Sequence, residues 1–511
     1  MLHSIKDFYQ RNPLTVILIV GLSLRLIAAV FSKGYAMTDD HFKIIAEASY
    51  KVHDKESTFW TPGYREDKAS KRSMLYPYAN YLFLEAMYAV DIKDPQTIMF
   101  INRLIHALFS ILIIVFTYLT TKLFASEKMA LMAAWIAAIF WFLPMMSVRN
   151  LIEIVCIPFL MAGAYLIIKA YLQNGALKLF FWGGVLLSFA FTIRYQTAAF
   201  SAGLGLYLMF NNKWKEVLLI ILGGILPLIP NHLVLETLMY DFGPFEKLFN
   251  YLGFNVAHAK SYVTGPWYNF VVLFLGIFIP PFSFILARGV VRSWKKHLIL
   301  LLPFLLFIVF HSVFPGKQER FILPVLMYFP IIGLIGYEDL KENSSWFKKH
   351  PKFFRNSWRA FMVVNIILLI PITLTYSKRS RVESMYYLAD KPQKEKDVLL
   401  YMAGRINDVN LMPVFYSNYE YYPTYYKVGN MQDLDTVMTT LQAKSFDRYP
   451  DYVFIVEHDE KEKQIQKLGD IMELEFETTI EAGFIDKLMH WLNPRNKNYD
   501  IHVYKAEPKT S

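Results

Sequence analysis

Long apolar runs recur from Thr15 to Thr375, and each approaches the roughly 20 residues that a helix needs to cross a hydrocarbon core. Backbone groups in lipid must satisfy one another, so a chain written this way folds as a bundle of helices. Hydrophobic segments fall near 14–31, 99–121, 129–146, 151–170, 179–193, 197–210, 216–234, 267–287, 298–314, 320–337 and 360–376. That makes about eleven spans, several of them short enough to be tilted, broken or re-entrant. Beyond Ser377 the pattern becomes a mixed polar sequence that lasts to the C-terminus. The expected fold is a polytopic α-helical membrane domain, residues 1–376, followed by a soluble α/β domain, residues 377–511.

The net charge of +10 does not point to nucleic acid, because Lys and Arg concentrate in short connections between apolar runs, where they set topology. Lys122 and Lys128, Lys169 and Lys178, Lys213 and Lys215, then Arg288, Arg292, Lys295 and Lys296 fall on alternate connections, as do Lys341 to Arg359. By the positive-inside rule these connections and the N-terminus face the cytoplasm. An odd number of spans then places the tail on the outer face, together with every polar motif described below. The sequon Asn343-Ser-Ser lies in an inner connection and is expected to stay unmodified. Lys6 and Arg11 precede the first apolar run, and Arg25 is embedded in it, which reads as a retained anchor. The single Cys156 excludes an intrachain disulfide and a cysteine-based metal cluster.

Asp39-Asp40 follows the first run directly. Two adjacent carboxylates at a membrane exit admit two readings: a cap for the following helix, Phe42 to Val52, or a general base for a substrate at the bilayer surface. The rest of that outer loop, 32–98, reads as two surface helices, one striped by Phe42, Ile45, Ser49 and Val52, the other running from Tyr78 to Val90. Between them Arg72-Ser-Met-Leu-Tyr-Pro77 forms a polar hinge, with Arg72 an anion ligand or an interfacial anchor. At the second outer corner, Arg149 stands beside Asn150 and Glu153, which share a helix face or cap the next helix. Arg194 ends a helix at the third corner. Trp267-Tyr268 closes a long loop, 235–266, as an interface pair or a sugar contact. His311, Lys317 and Arg320 crowd the last corner, two fixed positive charges at a helix mouth that suit a phosphate.

Taken in order, these motifs resemble the C-type (GT-C) glycosyltransferase superfamily, in particular its lipid-phosphate-mannose-dependent α-mannosyltransferases of N-glycan and glycosylphosphatidylinositol-anchor type. The residues that carry the resemblance are Asp39-Asp40, Arg72-Ser73 with Pro77, Arg149-Asn150 with Glu153, and Arg194 with Thr197. Pro266-Trp267-Tyr268 and His311-Ser312 followed by Lys317-Gln318-Glu319-Arg320-Phe321 complete the set, which covers about the first 330 residues. The chain departs from the family where Asp39-Asp40 replaces the usual Asp-Glu and where Gly316-Lys317-Gln318 replaces a His-Lys-Glu run. The Tyr-Gly pair of the long loop is matched only loosely by Tyr240 to Gly243.

The resemblance implies a lipid-phosphate mannose donor, a glycan or glycolipid acceptor, and a single displacement with inversion. Asp39 is the expected base, and Asp40 orients it or the acceptor. Lys317 and Arg320, with Arg72, Arg149 and Arg194 as further candidates, would receive the lipid phosphate. Asn150, Glu153, Trp267, Tyr268 and His311 are candidates for sugar or acceptor contact. No metal is required, although the two acids Asp39 and Asp40 with a distant third would also suit a divalent ion. The same motifs fit a related enzyme that moves a different sugar or aminosugar from a lipid carrier. A transporter is the reading from another class, and for it paired broken helices in matching halves would be expected. The membrane is expected to be a bacterial inner membrane, with the endoplasmic reticulum as the second candidate.

In the tail, Pro413 to Tyr416, Tyr452 to Val456 and Ile501 to Tyr504 read as strands. Lys394 to Arg405 and Met431 to Leu441 read as helices. The aromatic run from Tyr416 to Tyr426 suits sugar stacking or packing, and the lone His458 and His490 read as structural.

Overall fold

The computed structural model describes residues 8–53, 73–239, 242–261, 263–391, 398–401, 412–418, 425–428, 431–443, 449–457, 461–493 and 498–509. Arg72, Tyr240 and His458 lie outside the described residues. Every expected hydrophobic segment carries helix. Five helices are long and apolar enough to cross a membrane alone: Pro13–Phe31, Pro95–Lys122, Ile152–Leu172, Trp214–Thr237 and Pro351–Thr373. A sixth span arises if Glu319–Val325 and Tyr328–Asn343, bent by 56°, are taken together. The expected segment 267–287 is broken into Asn269–Ile277 and Phe282–Arg292 by a Pro280-Pro281 pair, where proline removes a backbone donor.

The chain forms two compact units. One comprises residues 1–29, 69–76 and 103–374; the other comprises 30–68, 77–102 and 375–511. The second unit thus gathers the loop after the first span together with the tail.

In the first unit, Ile152–Leu172 is 72% buried along its apolar window, whereas Trp214–Thr237 is only 22% buried. The former is central and the latter turns Leu218, Ile221, Leu222 and Ile225 outward, as a lipid-facing helix must. Lipid supplies no hydrophobic drive between helices, so close packing depends on small residues. At Gly289, a Cβ would run into the Gly333 carbonyl, and one at Gly223 would run into that of Phe181. Arg25 is fully buried in the first span. Its guanidinium donates to Ser110 Oγ at 3.0 Å and to the carbonyls of Gly21, Ala137 and Ala138 at 3.0, 3.1 and 3.2 Å. The charge is solvated by backbone dipoles, the requirement for keeping it at that depth.

In the second unit, a five-stranded sheet has the order β2-β1-β3-β5-β4. The strands are β1 (Val398–Tyr401), β2 (Tyr425–Val428), β3 (Tyr452–Val456), β4 (Met472–Ile480) and β5 (Ile501–Pro508). β1 pairs in parallel with β2 and β3, and β5 runs antiparallel between β3 and β4. Two sequence expectations are corrected here. The expected helix Lys394 to Arg405 contains β1, and the expected strand Pro413 to Tyr416 is a 3-10 turn, Val414–Ser417. Both are short apolar runs, for which periodicity does not separate helix from strand. Strand β4 carries little apolar signal in the sequence, because Glu473, Glu475 and Phe476 lie along a partly solvated edge strand.

Candidate active site

The acid loop begins where the first span ends at Phe31 and is tied at once to the far end of the chain. Ser32 Oγ donates to the Thr375 carbonyl at 3.1 Å, Ser377 N to the Lys33 carbonyl at 3.1 Å, and Lys378 Nζ to that of Ala36 at 3.0 Å. Gly34 and Ser377 form a β-bridge. Gly34 has φ of 75°, and any Cβ there would strike the Ser377 carbonyl, so the position requires glycine twice over. The first and last spans therefore end on the same side of the membrane.

The loop then turns into a helix that starts at Thr38 and continues through a π-turn, His41–Ile45, into Ala46–Val52. Asp40 is buried, and its two oxygens accept from the backbone N–H groups of Ala36 at 2.8 Å and Met37 at 3.2 Å. Asp40 is thus the cap of its own helix, reaching back from the first turn. Asp39, the residue before it, is half-buried. Of the two readings of the acid pair, capping applies to Asp40. His41 is sandwiched between Tyr35 at 5.2 Å and Tyr416 at 5.5 Å. Burial pushes its pKa down to about 3, so the ring is neutral and places no positive charge beside the acids. Tyr416 comes from the 3-10 turn of the tail.

In the other unit a cationic cluster is assembled at helix ends. The helix Lys178–Ile193 stops at Arg194, which is extended, and Glu153 sits in the first turn of Ile152–Leu172. Arg194 Nη1 donates to Glu153 Oε1 at 2.6 Å, and Arg320 Nε lies 3.6 Å from the same oxygen. Gln318 Oε1 accepts from Arg320 Nε and Nη2 at 2.9 and 2.7 Å. The Phe321 ring lies under both guanidiniums, 5.4 Å from Arg194 and 6.0 Å from Arg320. Two guanidiniums therefore meet at one carboxylate oxygen, Glu153 Oε1. Arg194 Nε and Nη2 are buried and have no hydrogen-bond partner among the described residues.

The structure places the remaining expected residues as follows. Lys317 Nζ donates to the carbonyls of His311 and Ser312 at 2.9 Å each, and to that of Phe314. All three ammonium donors close the end of helix Leu298–Val313, and desolvation holds the Lys317 pKa below its ordinary value. His311 is buried among Phe270, Phe307, Phe310 and Phe321, with Nδ1 donating to the Phe307 carbonyl at 2.9 Å. Asn150 precedes the helix and does not cap it. Its Oδ1 accepts from Tyr76 Oη at 2.8 Å, and the same hydroxyl lies 2.5 Å from His106 Nε2. Arg149 is buried at the same corner. Trp267 and Tyr268 remain exposed, at 70% and 49%, and pack edge-to-face on each other.

One polar group was not singled out by the sequence. In the π-helical segment Pro230–Met239, His232 Nδ1 and Glu236 Oε2 lie 2.7 Å apart, both with no exposure. Asn231 Nδ2 donates to Glu236 Oε1 at 3.3 Å, and Ser73 Oγ to Asn231 Oδ1 at 3.4 Å. The signal for it was a His and a Glu four residues apart at the end of an apolar run. Among the described residues, no three His, Cys, Asp or Glu side chains converge as a metal-ligand set.

A model of the Alg9-like mannosyltransferase family matches residues 16–406. The fold is similar to that of ArnT from Cupriavidus metallidurans bound to undecaprenyl phosphate. The TM-score is 0.61 at 11% identity, over 96% of this chain and 97% of that one. It is also similar to the apo form of the Archaeoglobus fulgidus oligosaccharyltransferase, with a TM-score of 0.52 at 10% identity, over 88% of this chain and 70% of that one. A search of curated proteins gives no match to the sequence.

Proposed function

Because the chain belongs to the Alg9-like mannosyltransferase family and is an integral membrane glycosyltransferase of the GT-C fold, we propose that it transfers mannose from a polyprenyl or dolichyl phosphate to a glycan or glycolipid acceptor. The observation that carries the donor assignment is the buried Arg194, with two N–H donors unpartnered among the described residues and Arg320 beside the same carboxylate. Paired guanidiniums suit a phosphate that gains charge as the sugar leaves. The likeness to an ArnT bound to undecaprenyl phosphate, and to an oligosaccharyltransferase whose structure also exists with a dolichol-phosphate, supports a lipid phosphate on the donor.

Asp39 accepts the proton of the acceptor hydroxyl as its oxygen bonds to the anomeric carbon and the bond to the lipid phosphate breaks. One displacement inverts the centre, so a β-linked donor yields an α-linked product. Asp40 orients the base: its carboxylate holds the Ala36 and Met37 N–H groups in the turn that carries Asp39. Arg194 and Arg320 stabilise the departing phosphate, and Lys317 holds the corner that carries Arg320. Arg72 and Arg149 are further candidates for the phosphate, and Asn150, Trp267, Tyr268 and His311 for sugar contact. The acid loop and tail face the outer side, in keeping with the distribution of Lys and Arg.

The test uses membranes containing wild type or Asp39→Asn, supplied with radiolabelled polyprenyl-phosphate mannose and a host lipid extract. Transfer of label by wild type and its loss in Asp39→Asn is expected. Equal transfer by both removes Asp39 from the chemistry. Transfer from a different sugar donor, with none from the mannose donor, overturns the mannose assignment alone.

A further inference from the structure

The helix Phe484–Leu492, with sequence FIDKLMHWL, repeats large apolar residues at the spacing of one helix face. Phe484, Leu488, Trp491 and Leu492 lie within one arc of its surface, and all are exposed, Phe484 and Trp491 to 77% each. The opposite side is used inward. Asp486 is buried there, with Oδ2 accepting from Arg379 N at 3.4 Å and Oδ1 from Asn498 Nδ2 at 3.3 Å. An exposed arc of two aromatics and two leucines on one short helix is uncommon on a soluble domain.

The helix is also fixed at a defined level. Gly483, the residue before it, packs on the Tyr376 carbonyl so closely that a Cβ would approach to 2.8 Å. Tyr376 is the third residue after Thr373, where the last span ends. A stretch of three residues reaches about 10 Å at most. The same short stretch, 375–377, is paired with residues 32–34, which leave the first span. The root of helix Phe484–Leu492 is therefore held beside the short segments that follow the first and last spans in the chain.

We propose that helix Phe484–Leu492 lies in the headgroup layer of the membrane, with Phe484, Leu488, Trp491 and Leu492 directed into the acyl boundary. The partner is the lipid surface itself. Trp and Phe suit that layer because it is wet on one side and apolar on the other, and a short amphipathic helix seats there with its axis in the membrane plane. Continuity with the span exit selects lipid over another protein as the occupant. Seated in this way, the helix ties the tail to the bilayer through Tyr376, Arg379 and Asp486, next to the residues that bridge to Gly34 of the acid loop.

The experiment places a nitroxide label at Leu488→Cys, and separately at Leu492→Cys, in the full-length protein. The protein is held in nanodiscs of three parts phosphatidylcholine to one part phosphatidylglycerol, and the native Cys156 is buried away from the label. Collision with oxygen, which concentrates in lipid, is compared with collision with a water-soluble nickel chelate. Oxygen exceeding nickel by several-fold at either site is the expected result. Nickel exceeding oxygen at both sites puts the face in water and overturns the proposal. Shielding from both agents means that protein covers the face, from this chain or a second copy, and overturns it equally. Because both positions are exposed, a fold failure at one leaves the other to decide.

Discussion

Arg194 Nη1 lies 2.6 Å from Glu153 Oε1, with both side chains only 3% exposed. A buried pair of this kind is strongly destabilised when one partner is removed, because the other charge stays desolvated. Glu153→Gln is therefore expected to lose about 3–5 kcal/mol of stability. Glu153→Gln combined with Arg194→Met should recover most of that loss. Thermal unfolding of the two single variants and the double variant checks this, and additive losses would contradict the pairing.

Lys317 and Arg320 stand three residues apart yet have different partners. Lys317→Met removes the donors that close helix Leu298–Val313, so its unfolding midpoint should fall, with transfer falling alongside. Arg320→Met should leave the midpoint near that of wild type and lower transfer by about 100-fold, the loss typical for one electrostatic stabiliser of a developing anion. Activity measured against thermal midpoint for each variant separates the two. If Lys317→Met weakened donor binding with no change in midpoint, the helix-closing role would be refuted.

The two adjacent acids should also part company. Asp39→Asn is expected to lower turnover by about 10²–10⁴-fold with the fold unchanged. Asp40→Ala removes the acceptor for the Ala36 and Met37 N–H groups and should lower both midpoint and turnover. Asp40→Asn keeps one carbonyl acceptor and should restore part of both. Identical kinetics for the Asn variants at the two positions would contradict the division of roles.

His41 gives the acid loop a pH dependence. Its pKa is about 3 when folded, against an ordinary value of 6.5, because the ring is buried between Tyr35 and Tyr416. Between those values the unfolded chain binds a proton that the folded chain refuses. The contribution is full above pH 6.5 and declines on acidification toward pH 3, by at most about 1.4 kcal/mol per pH unit. Unfolding midpoints at pH 7 and pH 5 should differ less for His41→Phe than for wild type. An equal difference would show that His41 stays outside the acid-sensitive balance.

Much of the membrane domain was legible because lipid imposes a length and a composition on each span, and a local window reads both. Pro13–Phe31 and Ile152–Leu172 follow directly from that rule. Breaks within spans were harder to place. The bend after Val325 and the π-helix at Pro230–Met239 depend on what neighbouring helices offer to freed backbone groups. The His232–Glu236 pair stayed hidden for the same reason, since a polar residue at the end of an apolar run looks like a boundary until its partner is seen.

Charge type was readable and charge partnership was not. Asp39, Glu153, Arg194 and Arg320 stand out by residue type at the ends of apolar runs, and their order along the chain carries the family resemblance. That Asp40 caps its own turn is decided by backbone direction over four residues. Lys317 closes a helix, whereas Arg320 shares Glu153 with Arg194, because side chains from different corners converge there. The apolar helical segments, the ordered motifs of the family and the candidate charges were legible in the chain because each is a local feature. The number of spans was not: among the described residues five helices, or six with the bent pair, are long enough to cross a membrane, against the eleven expected. The tertiary structure alone decided which charges pair and that residues 375–377 fasten the acid loop, because those contacts join positions more than 40 residues apart and in one case 343.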